Sequence, residues 1–147
     1  MGLDTSHDCW NGAYSAFHRW RIKIAQVAGL PPLLLMEGFF KKGDSYDPFV
    51  EYALKYEGIA SQYYDSLPIK WESLKLDPLH ELLCHSDCDG DLKWKICAAM
   101  ADRLQELIPL LPEEEAGGHI GIWKNKTQKF VDGLRLAYSK KENVEFY

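Results

Sequence analysis

At 147 residues, 46% hydrophobic and 27% charged, the chain has the size and composition of one globular domain, and its core needs no disulfide or metal staple. Nowhere do roughly eighteen apolar residues run together, which excludes a membrane-spanning helix. A net charge of −5 argues against non-specific binding to nucleic-acid phosphates. The start, Met1-Gly2-Leu3-Asp4, has no basic stretch followed by an apolar one. A cytoplasmic location is therefore expected, with the four cysteines at 9, 84, 88 and 97 as thiols.

The elements read as a series of helices. From Thr5-Ser6 to Ala28, Trp10, Ala13, Tyr14, Phe17, Trp20, Ile24, Val27 and Ala28 recur at steps of three and four, the spacing of an amphipathic helix. Gly29 with Pro31-Pro32 stops it. Residues 33–42 are apolar but interrupted by Gly38, so helix and buried irregular segment both stay open. Asp47-Pro48 starts a second helix, with Asp as cap and Pro at the first helical position. Residues 59–76 read as a short helix and a fixed loop. Asp77-Pro78 repeats the start signal before a brief helix, Leu79 to Cys84. The next helix runs from near Trp94 to Ile108 with Cys97, Met100, Ala101, Leu104, Leu107 and Ile108 on one face. Glu113 to Gly118 is an exposed loop. A final helix, about residues 122–138, buries Trp123, Phe130, Val131, Leu134 and Ala137, and the alternation in residues 142–147 predicts a short extended segment. The expected architecture is mainly α: one domain over residues 1–147, a bundle of about five helices carrying a polar EF-hand-like loop. Trp10, Phe17, Ile24, Leu104, Leu107, Phe130 and Leu134 are the expected core.

One loop concentrates chemistry. Residues 84–91 (CHSDCDGD) hold two thiols, an imidazole and three carboxylates around one glycine. With Gly90 as the turn glycine, His85, Asp87 and Asp89 fall on the first three ligand positions of an EF-hand loop, and Leu92 on its apolar pairing position. The last ligand position falls on Ile96, where Ca²⁺ wants a bidentate Glu, and an imidazole is a poor first ligand for a hard cation. Zinc is the alternative, through Cys84 and Cys88 with His80 or His85 and a second half from His7 and Cys9. The plain alternative is a loop whose aspartates cap the next helix.

A second polar cluster opens the chain. His7, Asn11, Tyr14 and His18 follow steps of four, three and four, and Asp8 stands beside His7. His7-Asp8 is similar to the His-Asp dyad of metal phosphohydrolases, a pair that also arises by chance. No Gly-x-Ser-x-Gly elbow or phosphate loop accompanies it, and Cys88 or Cys9 with a histidine is the only nucleophile pairing on offer. No catalytic residue is assigned.

The stretches HDCWNGAYSAFHRWR (7–21), LPIKWESLKLDPLHELLCHSDCDGD (67–91), ADRLQELIPLL (101–111) and FVDGLRLA with ENVEF (130–146) resemble a group of small uncharacterised bacterial and phage proteins. His-Ser-Asp-Cys-Asp-Gly is the most specific motif, and the resemblance covers most of the chain. It implies a single cytoplasmic domain encoded by mobile or viral DNA, and it carries no catalytic roles. Small viral proteins without enzyme motifs bind host factors or nucleotide signals, and by analogy this chain would act against a host pathway.

Three functions follow. The first is a non-enzymatic binder of a small polar ligand, nucleotides included. There His7, Asp8, Asn11, His85, Asp87 and Asp89 build one shared site, Trp10 or Tyr14 forms an aromatic wall, and Arg19 or Arg21 holds an anionic group. The second is a metal-dependent hydrolase using His7, Asp8, His85, Asp87 and Asp89, the last three holding the ion, although no cofactor is required by the pattern. The third is an acidic protein-binding inhibitor presenting Glu113 to Glu115. A protein partner or self-association stays open.

Overall fold

The first thirteen residues fold back on themselves instead of entering a helix. In the computed structural model, which describes residues 2–36, 69–86 and 88–147, Gly2–Asp4 (β1) and Asn11–Ala13 (β2) pair antiparallel, with Leu3 opposite Gly12. A 3₁₀ turn, Ser6–Asp8, lies between them. Thr5 closes the loop. Its N–H donates to the Trp10 carbonyl at 3.1 Å, and its Oγ1 accepts the Trp10 N–H at 2.8 Å. Helix α1 begins only at Tyr14 and runs to Val27. The helix expected from Thr5-Ser6 is thus corrected by nine residues. The chain buries Leu3, Cys9 and Trp10 through a folded turn, and the ladder satisfies the backbone groups that a helix would otherwise pair.

From Tyr14 the helical pattern holds, with Ala16, Phe17, Trp20, Arg21, Ile24 and Ala25 buried. The stop is a Schellman motif. Gly29 takes φ 72°, the Leu30 N–H reaches the Ala25 carbonyl at 3.1 Å, and the Gly29 N–H reaches that of Gln26 at 3.2 Å. Leu33–Leu35 form one 3₁₀ turn, and Leu33, Leu35 and Met36 are buried. The helix expected after Asp47-Pro48, and most of the 59–76 reading, lie outside the described residues. Trp71–Leu74 is a 3₁₀ turn.

A short helix, α2 (His80–Leu83), follows with Leu79 as its N-cap residue, and Asp77 instead closes the turn ahead of it, its Oδ1 accepting the Leu79 N–H at 2.8 Å. Gly90–Leu92 is strand β3. The two long helices that follow, α3 (Trp94–Leu107) and α4 (Trp123–Lys140), fall within two residues of their expected bounds and pack on each other. Helices dominate the described residues, and the four strands there are each three residues long.

The seven expected core residues are all at most 2% exposed. An aromatic cluster ties the elements together. Trp20 lies 4.8 Å from Phe130, Trp10 lies 5.2 Å from Phe17, and Phe17 reaches Phe146 at 5.8 Å. Lys141, in the left-handed region at φ 55°, turns the chain out of α4 into strand β4 (Val144–Phe146). There the expected C-terminal extended segment pairs antiparallel with β3, Gly90 opposite Phe146. On its other side a bridge joins Phe146 to Thr5, and Asp4 and Tyr147 exchange two backbone hydrogen bonds, each 2.9 Å.

Gly133 sets how closely α4 approaches the N-terminal turn. A Cβ there would lie 2.4 Å from Cys9 Sγ and 2.8 Å from the His7 carbonyl oxygen, closer than atoms can pack. Gly133→Ala improves helix propensity but forces the helix off the turn, and overpacking of this kind costs about 1–3 kcal/mol. Urea denaturation should show the variant less stable than the wild type by that amount. Equal or greater stability would mean that the turn does not rest on this helix.

Candidate functional site

The Ser6–Asp8 turn stands on α4 in a conformation that side chains disfavour. His7 has φ 58° and Asp8 φ 56°, two consecutive left-handed residues, neither of them glycine. Aspartate and histidine tolerate this region better than most residues, but two in a row persist only where the surroundings fix them. Those surroundings are visible. Ser6 Oγ lies 2.8 Å from His7 Nδ1 and accepts the Glu145 N–H at 2.8 Å. His7 Nε2 lies 3.2 Å from Glu142 Oε1, and Asp8 pairs with Lys129 at 3.2 Å. Beneath the turn, burial pushes the Cys9 thiol up to about 12, so this sulfur is an inert packing group at neutral pH.

Between this turn and α4 lies an open cleft of about 480 Å³, lined by His7, Asp8, Asn125, Gln128, Lys129, Asp132, Gly133 and Leu136. Gln128 donates to Asp132 Oδ1 at 2.9 Å, so one wall is a connected row of amide and carboxylate groups. Six of the lining residues come from the last helix, and the sequence reading missed them. Their signal was present. Positions 125, 128, 129, 132, 133 and 136 step by three and four along one helical face, and a mid-helix glycine marks a close approach.

The other expected residues divide. Trp10 is 1% exposed and belongs to the core, with Lys126 Nζ 4.3 Å from its ring centre. Burial, then the neighbouring Lys129, lowers the Lys126 pKa. Asn11 is exposed, donates to Asp4, and through its carbonyl accepts Lys126 Nζ at 2.7 Å. Tyr14 is half-buried at the start of α1. His7, Asn11, Tyr14 and His18 share no helical stripe, because the first two precede α1. Arg19 donates to the Ala116 carbonyl at 3.2 Å. Arg21, 2% exposed, lies 4.5 Å over the Phe17 ring, and its Nη1 reaches the carbonyls of Leu82, Leu83 and His85 at 3.3, 3.3 and 2.6 Å. It closes the open carbonyl end of α2.

His85 and its loop lie against the opposite edge of β4. The His85 ring sits 4.1 Å from that of Phe146. Its Nδ1 faces the Ser86 carbonyl at 2.9 Å and its Nε2 that of Asp91 at 3.1 Å. Both nitrogens therefore meet acceptors, and a ligating role would require one of them to leave its carbonyl. Asp89 accepts the Ser86 hydroxyl at 2.8 Å, and Asp87 lies outside the described residues. Leu92 pairs with Val144 in the β3–β4 ladder. Asn143 ties this loop to α3, donating to Asp91 Oδ2 at 3.2 Å and accepting the Trp94 N–H at 2.9 Å.

The two polar clusters thus share one strand. The His7 turn meets it through Ser6, whose Oγ accepts the Glu145 N–H, and His85 meets it through the Phe146 ring. Among the described residues, the cleft is lined by His7 and Asp8 and by none of the 85–91 loop.

Comparison with known proteins adds no relative. No protein family, curated protein or solved structure matches the chain.

The hydrogen bond from Lys93, at 2.9 Å, holds the Asp91 carboxyl below its ordinary range, with Asn143 assisting. A folded-state pKa below the unfolded one gives stability that is present above the unfolded value and lost as pH falls through the folded one. Asp91→Asn should therefore melt below the wild type at neutral pH, and the gap should close as the pH falls through and below the ordinary carboxylate range. A gap that stays constant across that range would show that the carboxylate charge contributes nothing.

Proposed function

We propose that the chain is a non-enzymatic binding protein for a small polar ligand of the nucleotide class, seated in the cleft between the Ser6–Asp8 turn and α4. The observation that carries this reading is the pair of left-handed residues, His7 and Asp8, at the rim of that cleft. Backbone strain of about 1–3 kcal/mol per residue is retained where it positions groups for a task. A volume of about 480 Å³ falls in the range of sites for small ligands, roughly 300–1,000 Å³.

The lining supports the ligand class. Asn125 and Gln128 offer paired amide donors and acceptors suited to the edge of a base or sugar. Lys129 supplies a cation once an anionic group competes with Asp8, and Leu136 gives an apolar contact. Nucleotide signals fall within this class, in keeping with the resemblance to small bacterial and phage proteins. The EF-hand-like reading of residues 85–91 becomes a secondary part of the proposal. That loop orders the strand on which the His7 turn rests, and any ion it takes plays no part in the cleft.

Native mass spectrometry of the purified protein, followed by calorimetric titration with a panel of mono- and dinucleotides, tests the reading. One ligand of this class should bind, and His7→Ala and Lys129→Ala should each weaken it by about tenfold, roughly 1.4 kcal/mol. Lys129→Ala should leave the melting temperature nearly unchanged, because exposed ion pairs such as Asp8–Lys129 contribute little to folding. Absence of binding across the panel, or binding unaffected by both substitutions, refutes it.

A further inference from the structure

Helix α2 carries a second constellation, formed by residues that do not line the cleft. His80, Glu81 and Cys84 present a ring nitrogen, a carboxylate oxygen and a sulfur, all within 4.8 Å of one another. His80 and Cys84 are four residues apart, and the Cys84 N–H donates to the His80 carbonyl at 3.1 Å. That bond closes a full helical turn and sets the two side chains on one face.

The turn is held from its other side. Leu79, Leu82 and Leu83 are fully buried, Asp77 accepts the Leu79 N–H in the turn just ahead of the helix, and Arg21 grips the carbonyls at its end. The Trp71 ring meets the His80 imidazole edge-on at 6.4 Å. The face carrying the three donors is therefore fixed while remaining open to solvent. The His80 side chain is 20% and that of Glu81 60% exposed.

We propose that His80, Glu81 and Cys84 form a binding site for a zinc-class divalent cation, with the fourth position left to water or an incoming ligand. Sulfur with imidazole selects a borderline-soft ion over Ca²⁺ or Mg²⁺. Zinc bonds of about 2.0–2.3 Å place tetrahedral ligands about 3.5 Å apart. His80 Nδ1 and Glu81 Oε1 already stand at 3.4 Å, and a rotation of Cys84 Sγ completes the set. One thiolate and one carboxylate balance the charge of the ion. Three protein ligands and an open position are the arrangement of exchangeable and catalytic zinc sites, whereas structural ones are closed by four. Among the described residues, Cys88 instead faces Ser86 and Asp89, so the donor pair Cys84–Cys88 expected from spacing gives way to His80–Cys84.

Titration of the full-length reduced protein with Co²⁺ tests the site, because a cobalt–thiolate bond produces a charge-transfer absorption that oxygen and nitrogen ligands do not. The band should saturate at one ion per chain and disappear on adding Zn²⁺. It should be lost in Cys84→Ser and retained in Cys88→Ser. His80→Gln and Glu81→Gln, both on the solvent side of the helix, should each weaken Co²⁺ binding by about tenfold or more, with far-UV circular dichroism confirming that they fold. No band in the wild type overturns the proposal. So does a band that survives Cys84→Ser and vanishes in Cys88→Ser, which would move the metal into the neighbouring loop.

Discussion

The backbone pairing of β4 is the constraint on which the rest depends. Three residues near the C-terminus bond to β3 on one side and meet the N-terminal segment on the other, through Thr5 and Asp4. Short strands are marginal in isolation, because two or three ladder bonds do not offset the ordering of the chain. Here each is fastened by burial: Leu3, Leu92, Val144 and Phe146 all face the core. The ladder supplies register and the side chains supply free energy. Neither suffices without the other.

From that strand the geometry of the N-terminal turn follows. Ser6 Oγ accepts the Glu145 N–H of β4, Glu142 meets His7, and Gly133 admits Cys9 and the His7 carbonyl against α4. Two left-handed residues would relax if any of these supports were loose. The contacts are made by groups far apart in the chain, so these supports of the turn are all long-range. Under the proposed binding role, a ligand there would meet groups already held in place, which lowers the entropy cost of ordering them.

The sequence made the helices legible and hid the turn. Helices α3 and α4 bury several apolar residues each at regular helical intervals, a pattern that only one secondary structure satisfies. In residues 7–14 the same intervals arose by accident. Trp10 and Tyr14 are spaced like helix neighbours, yet Trp10 is buried from a loop closed by Thr5. Periodicity records which residues are buried, not which local path brings them inside, and a glycine at 12 between polar clusters was the unused sign of a turn. The cleft was half legible. His7 and Asp8 stood out as polar groups too numerous for a cap, but their companions lie more than a hundred residues away on α4, a distance that no local pattern spans.

The buried polar groups show how closely the core and the surface clusters are connected. Arg21 reaches from α1 to three carbonyls around the end of α2 and lies over Phe17. Phe17 touches Phe146, and Phe146 carries the His85 ring. Removing a charge from such a position is expensive because its acceptors stay buried without a partner. Arg21 and the Phe17–Phe146 contact thus join α2 to β4 in one continuous run of side-chain contacts. It fixes α2 with His80 and Cys84 outward, and it fixes β4, against which the His7 turn is built. Arg21, expected from the sequence to hold an anionic group, instead serves both of them from the interior.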